Sequence, residues 1–132
     1  MKKNKFLFDT HALIFWINKE EVSAEFIDFF DAQTQKGNVF ISSASIWEIA
    51  LLTKKGRLSI PDLYQWKNDL LVQSSIQLVE LDAADMIDST LLPYFHKDPF
   101  DRLLIAQAYN NDFILVSRDK IVASYPVERF WI

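Results

Sequence analysis

Short apolar runs alternate with longer segments of helical periodicity along almost the whole chain, and this alternation constrains the fold most. The runs are bounded by polar or turn residues, as buried strands are; they cover residues 6–8, 39–41, 76–81 and 113–116. The segments between them predict helices over residues 23–35, 44–55, 61–73, 82–92 and 100–109. Strands that alternate with helices predict a three-layer α/β/α fold with a central parallel sheet.

The length and composition limit what such a fold can do. With 132 residues, we expect a single domain over residues 1–132, because two halves would be too small to bury stable cores. The chain has no cysteine, which excludes disulfides and thiolate zinc sites and favours a reducing, cytoplasmic compartment. A net charge of −4 excludes a generic polyanion binder, so any contact with nucleic acid must come from local cations or metal ions.

The amino terminus resembles a signal peptide only superficially. Lysines between Met1 and Lys5 precede an apolar run, but Asp9 and His11 interrupt that run and no small-residue cleavage site follows. No other stretch reaches the roughly 18 apolar residues that a membrane span needs. We therefore expect a soluble, cytoplasmic protein without a membrane partner.

Four acidic residues stand where a solvated charge is not expected. Asp9 and Asp119 follow the first and last predicted strands, where a turn or capping role is the alternative. Glu48 lies on an apolar helix face without a basic residue three or four positions away, so its partner must come from outside the helix. A structural salt bridge is the alternative there. Asp101 also lies on an apolar face, and its alternative is a capping arrangement in which Asp98 is the N-cap.

In a parallel α/β sheet these four acids can meet, because strand ends and helix starts share one edge. Two carboxylates about 4 Å apart repel by roughly 4 kcal/mol at an effective dielectric of 20, so a cluster requires a divalent cation or shared protons. Oxygen ligands without cysteine favour Mg²⁺ or Mn²⁺ over zinc. We therefore predict a metal site that polarises a phosphoryl oxygen and activates water, formed by Asp9, Glu48, Asp101 and Asp119.

Histidines and tryptophans give weaker signals. Neither His11 nor His96 has a second histidine nearby, so metal ligation is the less favoured interpretation for both. We expect His11 to contact substrate and His96 to shape the loop before Asp98. The tryptophans lie in apolar patterns and are expected in the core rather than as base-stacking platforms; they are Trp16, Trp47, Trp66 and Trp131.

Four motifs stand at suitable intervals along the chain, over residues 8–13, 42–48, 96–102 and 117–119. In this order they resemble the acidic motifs of PIN-domain ribonucleases, and most closely those of VapC-type toxins from bacterial toxin–antitoxin pairs. The resemblance extends from Phe6 to Trp131. It implies a PIN-like fold and Mg²⁺- or Mn²⁺-dependent endoribonuclease cleavage of single-stranded RNA, with Asp9, Glu48, Asp101 and Asp119 as the catalytic acids.

The resemblance also implies supporting residues and partners. Thr10 and Ser117 would be hydroxyls behind the acids; the family commonly has Thr where Ser117 stands, and the hydroxyl is kept. Toxin members usually form homodimers and are inhibited by a small antitoxin whose tail enters the site. Cations beside the motifs are candidates for RNA phosphates: Lys97, Arg102, Arg118 and Lys120, with Lys54, Lys55 and Arg57 after the Glu48 helix.

Two other functions remain as alternatives. A phosphatase of the haloacid dehalogenase type also has Asp after its first strand, but it needs a second Asp two residues later, where this chain has His11. A catalytically inactive PIN-like module that binds RNA or protein is the alternative from another class. The presence of all four acids disfavours it, and a measurement of Mg²⁺ or Mn²⁺ binding separates it from an enzyme.

Overall fold

Five strands form one parallel sheet in this computed structural model, which describes residues 4–132. In chain order they are β1 (Phe6–Phe8), β2 (Val39–Ser42), β3 (Gln77–Val79), β4 (Ile114–Val116) and β5 (Glu128–Phe130). The order across the sheet is β3-β2-β1-β4-β5, and all neighbours are parallel. The predicted α/β fold with a central parallel sheet is confirmed. The lysines at positions 2 and 3, considered above as a targeting signal, lie outside the described residues.

Six helices connect these strands within the described part of the chain. They are α1 (Thr10–Asn18), α2 (Ala24–Gln35), α3 (Ser43–Lys54), α4 (Leu63–Asn68), α5 (Ala83–Leu91) and α6 (Pro99–Asn111). Each begins after a side chain that accepts a backbone N–H of the first turn: Asp9, Ser23, Ser42, Asp62, Asp82 and Asp98. These caps satisfy donors that the helix itself leaves unpaired, which fixes where each helix starts. No helix in residues 4–132 is long and apolar enough to cross a membrane.

Both faces of the sheet carry an apolar core. Successive side chains of a strand point to opposite faces, so Phe6 and Phe8 pack with α1 and α2, whereas Leu7 packs with α6. The first core is rich in aromatic rings: Phe8 stacks on Trp16 at 4.9 Å and meets Phe30 edge to face at 4.7 Å. Helices therefore cover the sheet on two sides, as a three-layer fold requires.

The tryptophan prediction is correct for three residues and wrong for one. Trp16, Trp66 and Trp131 lie in or against the first core. Trp47 is 57% exposed. The buried face of α3 is formed by residues 44, 45, 48 and 49, and position 47 lies roughly 130° from its centre around the helix.

Four other features differ from the sequence prediction. Helix α1 and strand β5 had no predicted counterpart, and β5 is a charged edge strand. The predicted helix over residues 61–73 divides into α4 and a π-helical turn at Asp69–Gln73. A 3-10 turn at Lys120–Ser124 follows β4.

The central position of β1 determines which side chains meet. Phe8, its last residue, pairs with Ile41 on one side and Val116 on the other. The residues that follow β1, β2 and β4 consequently emerge at the same edge of the sheet. In open parallel sheets this carboxyl edge is where ligands bind.

Candidate active site

Asp9 emerges from β1 and caps α1. Its Oδ1 accepts the Ala12 N–H at 2.7 Å, and its own N–H donates to the Val116 carbonyl at 3.0 Å. The residue is 7% exposed, and burial raises the pKa of its carboxyl, with hydrogen bonds from Ser117 and Ala12 opposing that rise. The capping alternative is therefore correct, but the cap does not remove Asp9 from the site, since the residue also lines the cleft described below.

Glu48 lies on the buried face of α3, as its apolar neighbours predicted. It is 9% exposed. Burial raises the pKa of the Glu48 carboxyl, a hydrogen bond with Thr10 opposes the rise, and the charges of Asp98 and Asp9 add to it. Thr10 Oγ1 also lies 2.9 Å from Ser45 Oγ, so this buried hydroxyl links the start of α1 to α3. No lysine or arginine among the described residues forms an ion pair with Glu48.

Asp101 lies in the first turn of α6, which Asp98 caps and Pro99 begins. The predicted cap is present, because Asp98 Oδ1 accepts the N–H groups of Phe100 and Asp101 at 2.8 and 3.3 Å. Capping does not use the Asp101 carboxylate itself. Burial, followed by the charges of Asp98 and Asp9, raises the pKa of Asp101 to about 7, and His96 opposes this.

Asp119 lies two residues beyond Ser117, just after β4. Its Oδ1 accepts the Ile121 N–H at 2.9 Å, and its N–H donates to Ser117 Oγ at 3.1 Å. The fully buried Ser117 also hydrogen-bonds the Asp9 carboxyl. The Ser117 hydroxyl thus connects the Asp9 carboxyl to the backbone of Asp119.

His96 is the site residue that the sequence did not assign to the acids. Its Nε2 lies 2.8 Å from Asp119 Oδ2 and 3.1 Å from Asp101 Oδ2. One ligand atom from each of these three side chains lies within 4.8 Å of the others, a spacing that could hold a metal ion. The expected shaping of the loop is also present, since the Asp98 N–H donates to His96 Nδ1 at 3.1 Å. Because Nδ1 accepts, the ring proton is assigned to Nε2, which then donates to the carboxylates.

Arg102 holds the loop between α5 and α6, which carries His96, contrary to the expectation that it contacts RNA. It is 5% exposed, and its two terminal nitrogens donate to four backbone carbonyls, at 2.8 to 3.1 Å; these belong to Ser89, Leu92, Pro93 and His96. Tyr125 supports the same loop, because its hydroxyl accepts the His96 N–H and donates to the Pro93 carbonyl. Guanidinium donors used in this way are not available to phosphates.

The other predicted cations are exposed. Arg118 lies over the Phe15 ring at 4.6 Å and 3.6 Å from Glu21 Oε1. The remaining residues predicted to contact RNA are also exposed: His11, Lys97, Lys120, Lys54, Lys55 and Arg57. A cleft of about 230 Å³ opens at this edge, and its lining includes Asp9, Asp101, Asp119, His11, Phe15 and Arg118. Glu48 does not line the cleft, although its charge acts on Asp101.

The fold and the site together define a class: a three-layer α/β protein with an acidic cleft at the carboxyl edge of a parallel sheet. The sequence profile of the PIN domain matches residues 6–128. The chain therefore belongs to the PIN domain family, and the predicted resemblance is confirmed at that level.

Solved structures share this fold at low identity. FitAcB from Neisseria gonorrhoeae is 15% identical with a TM-score of 0.68, over 95% of this chain and 96% of that chain. VapBC2 from Rickettsia felis, bound to a DNA fragment from their promoter, is 17% identical with a TM-score of 0.68, over 96% and 98%. A toxin–antitoxin complex from Klebsiella pneumoniae is 19% identical with a TM-score of 0.60, over 92% and 93%. A search of curated proteins gave no significant match.

Proposed function

We propose that this PIN-domain protein is a divalent-metal-dependent endoribonuclease that cleaves single-stranded RNA. The observation that carries the proposal is the cleft where Asp9, Asp101 and Asp119 meet, with the charge of Glu48 acting on Asp101. Buried acids that raise one another's pKa are costly to a fold and are typical of functional sites. PIN domains are generally nucleases, which supports the same class of chemistry.

The donor set suits Mg²⁺ or Mn²⁺, because all four acids offer carboxylate oxygens and hard cations prefer such ligands. When bound, a cation of this kind supplies Lewis-acid polarisation of the phosphodiester and a lower pKa for the attacking water. The chain's own residues supply the orientation. The Ala12 N–H and Ser117 fix Asp9, and His96 Nε2 fixes Asp101 and Asp119.

Exposed cations beside the cleft are proposed to hold the RNA backbone. Arg118 and His11 line the cleft, and Lys97 and Lys120 adjoin the acidic motifs in sequence. Arg102 is omitted from this set because backbone carbonyls occupy its terminal nitrogens. The net charge of −4 makes such local contacts necessary for binding a polyanion.

A cleavage assay on a labelled single-stranded RNA tests this function. The protein should cut in millimolar Mg²⁺ or Mn²⁺ and stop when a chelator is added. Asp9→Asn should lower the rate by roughly a thousandfold, since a loss of several kcal/mol of transition-state stabilisation has that effect. Asp28→Asn, an exposed acid on α2, is the matched control and should cut like the parent. Metal-independent cutting, or an Asp9→Asn rate within about twofold of the parent, would contradict the proposal.

The proposal extends to protein partners, namely a second copy of the chain and a small antitoxin. The solved structures with this fold include toxin–antitoxin complexes. A basic side chain from an antitoxin tail could replace the cation among the acids through charge-assisted hydrogen bonds. Inhibition by such a tail peptide should then weaken as Mg²⁺ increases. An inhibition constant independent of Mg²⁺ would show that the tail blocks RNA elsewhere, and light scattering of the purified protein tests the homodimer.

A further inference from the structure

Trp47 is the most exposed of the four tryptophans and borders the acidic residues. Its side chain is 57% exposed, and its ring meets that of Phe100 edge to face, with centroids 5.0 Å apart and planes at 71°. The partly buried Phe100 supports the indole from one side. More than half of a large, flat aromatic surface is therefore open to solvent in a held orientation.

Both rings are adjacent in sequence to acids of the site. Trp47 precedes Glu48 on α3, and Phe100 precedes Asp101 in the first turn of α6. The pair spans the contact between α3 and α6, two helices that pack together. Asp101 itself lines the cleft, so the ring contact between Phe100 and Trp47 lies one residue away from the cleft lining.

The lining of the cleft has different chemistry. There Arg118 lies over Phe15, and His11 is close to the same ring, at 6.3 Å between centroids. Arg118 thus offers a cation to a phosphate. The Trp47–Phe100 pair offers a neutral aromatic surface, which suits a base rather than a phosphate.

We infer that the Trp47–Phe100 pair is a stacking platform for a nucleobase of the RNA next to the cleaved phosphate. The inference rests on the proposed function, and it adds a base subsite to it. Aromatic rings beside a charged groove are how proteins bind single strands without reading sequence, because every base has a face that stacks. The acids that adjoin the pair favour RNA over a second copy of the chain, since the divalent cation proposed to accompany the RNA phosphate would offset their charge, whereas a protein interface would cover them without that cation.

Kinetics with matched variants test the platform. Trp47→Ala should raise KM for single-stranded RNA roughly 5- to 100-fold, the range that loss of one base–aromatic stack gives, and should leave kcat within about threefold. Trp47→Phe should retain most of the affinity because it keeps an aromatic face. Tyr109→Ala removes an exposed aromatic side chain, 60% exposed, from the other end of α6 and should behave like the parent.

Binding experiments give a readout that a structural role would not change. In the Asp9→Asn background with Mg²⁺, RNA should quench tryptophan fluorescence, and the quenching should be lost with Trp47→Phe. A series of oligonucleotides with one abasic ribose should show a position whose removal weakens binding. At that position Trp47→Ala should cause no additional loss, since base and ring contribute to the same contact.

The outcomes separate this inference from the proposed function. Quenching by RNA that persists in Trp47→Phe would overturn the platform, even if cleavage is metal-dependent. So would losses of RNA affinity from the abasic ribose and from Trp47→Ala that add to one another. A change of Trp47→Ala from dimer to monomer with unchanged RNA affinity would also overturn it, because a second copy would then cover the ring. If the parent cuts no RNA yet shows the quenching and the shared abasic position, the platform stands and the proposed function fails.

Discussion

Two groups of buried or partly buried acids in this protein differ in how their negative charge is compensated. At the start of α5, Asp85 is 1% exposed, but its oxygens accept the Asp82 N–H at 3.2 Å and Asn110 Nδ2 at 3.0 Å. At the carboxyl edge of the sheet, the Asp101 carboxylate lies 3.1 Å from His96 Nε2, and the other charged groups that act on it are acids. Burial alone therefore does not mark a functional carboxylate. Burial among like charges with too few donors does.

The largest difference between the two groups should appear in catalysis. Asp101→Asn should lower RNA cleavage by roughly a thousandfold, because it removes a ligand charge at constant size. Asp85→Asn, outside the cleft, should leave the rate per folded molecule within about threefold. Initial rates normalised to the folded fraction measure both. Equal losses of rate in the two variants would show that burial among like charges does not identify a catalytic carboxylate.

In the metal-free protein, substitutions at Asp85 and Asp101 should change the free energy of unfolding in opposite directions. Asp85→Ala leaves the Asp82 N–H without its acceptor and removes one of the two acceptors of Asn110 Nδ2, so it should lower the free energy of unfolding by about 1–3 kcal/mol. Asp101→Asn should raise it by about 1–3 kcal/mol at pH 8, because a carboxylate with a raised pKa costs the native state free energy when ionised. Urea unfolding in chelator measures both variants. A destabilised Asp101→Asn protein at pH 8 would contradict the repulsion argument.

The pH dependence of the metal-free protein sharpens the same contrast. The native pKa of Asp101, about 7, lies above the ordinary aspartate value of 3.8, so between these values the native state holds a proton that the unfolded chain lacks. Stability must then fall as pH rises through this window, by up to about 1.4 kcal/mol per pH unit for one proton. Asp9 and Glu48, whose pKa values are also raised, contribute in the same direction.

Unfolding curves between pH 5 and pH 8 test this slope. Asp101→Asn should have a flatter profile than the parent, and Asp85→Asn should keep the parent's slope. Millimolar Mn²⁺ should restore stability at pH 8, because a ligand that binds only the native state at a hundred times its Kd adds about 2.7 kcal/mol. If the free energy of unfolding of Asp101→Asn depended on pH as that of the parent does, the raised pKa of Asp101 would be contradicted.

The smallest expected effect concerns the exposed cations. Each phosphate contact contributes about −0.7 to the logarithmic salt slope on a single strand, so Lys97→Ala with Arg118→Ala should flatten that slope by roughly 1.4. Base preference should hardly change, since these contacts carry no sequence information. Lys36→Ala with Lys67→Ala removes the same charge elsewhere and should leave the slope unchanged. A slope unaffected by the first pair would place the RNA on another surface.

The sequence predicted the elements whose local signals are strong. Strands β1, β2 and β4 are buried apolar runs, and α6 carries Asp98 and Pro99 at its start, so both kinds of element could be recognised without tertiary information. The predicted run over residues 76–81 located β3, but this strand is largely exposed at the edge of the sheet rather than buried. Strand β5, with Glu128 and Arg129, has no such signal. Its place in the sheet comes from pairing with β4, which is a long-range contact that local sequence does not encode.

The candidate site shows the same division between local and long-range information. The four acids could be selected because each violates a local pattern, but His96 could not, since its partners lie 5 and 23 residues away and meet only through the fold. Arg102 was misinterpreted for a related reason. A cation beside an acidic motif suggests a phosphate contact, whereas its burial under a loop of carbonyls is visible only in three dimensions.

By itself, the sequence determined the layer architecture, the approximate starts of most helices and the candidate acids, because periodicity, caps and unpaired charges act within a few residues. Tertiary structure alone decided that β1 is central, that His96 joins Asp101 and Asp119, and that Trp47 faces solvent beside Glu48. These features depend on which strand ends become neighbours and on which helix face meets the sheet. Such packing is set by the whole chain at once, so no local segment specifies it.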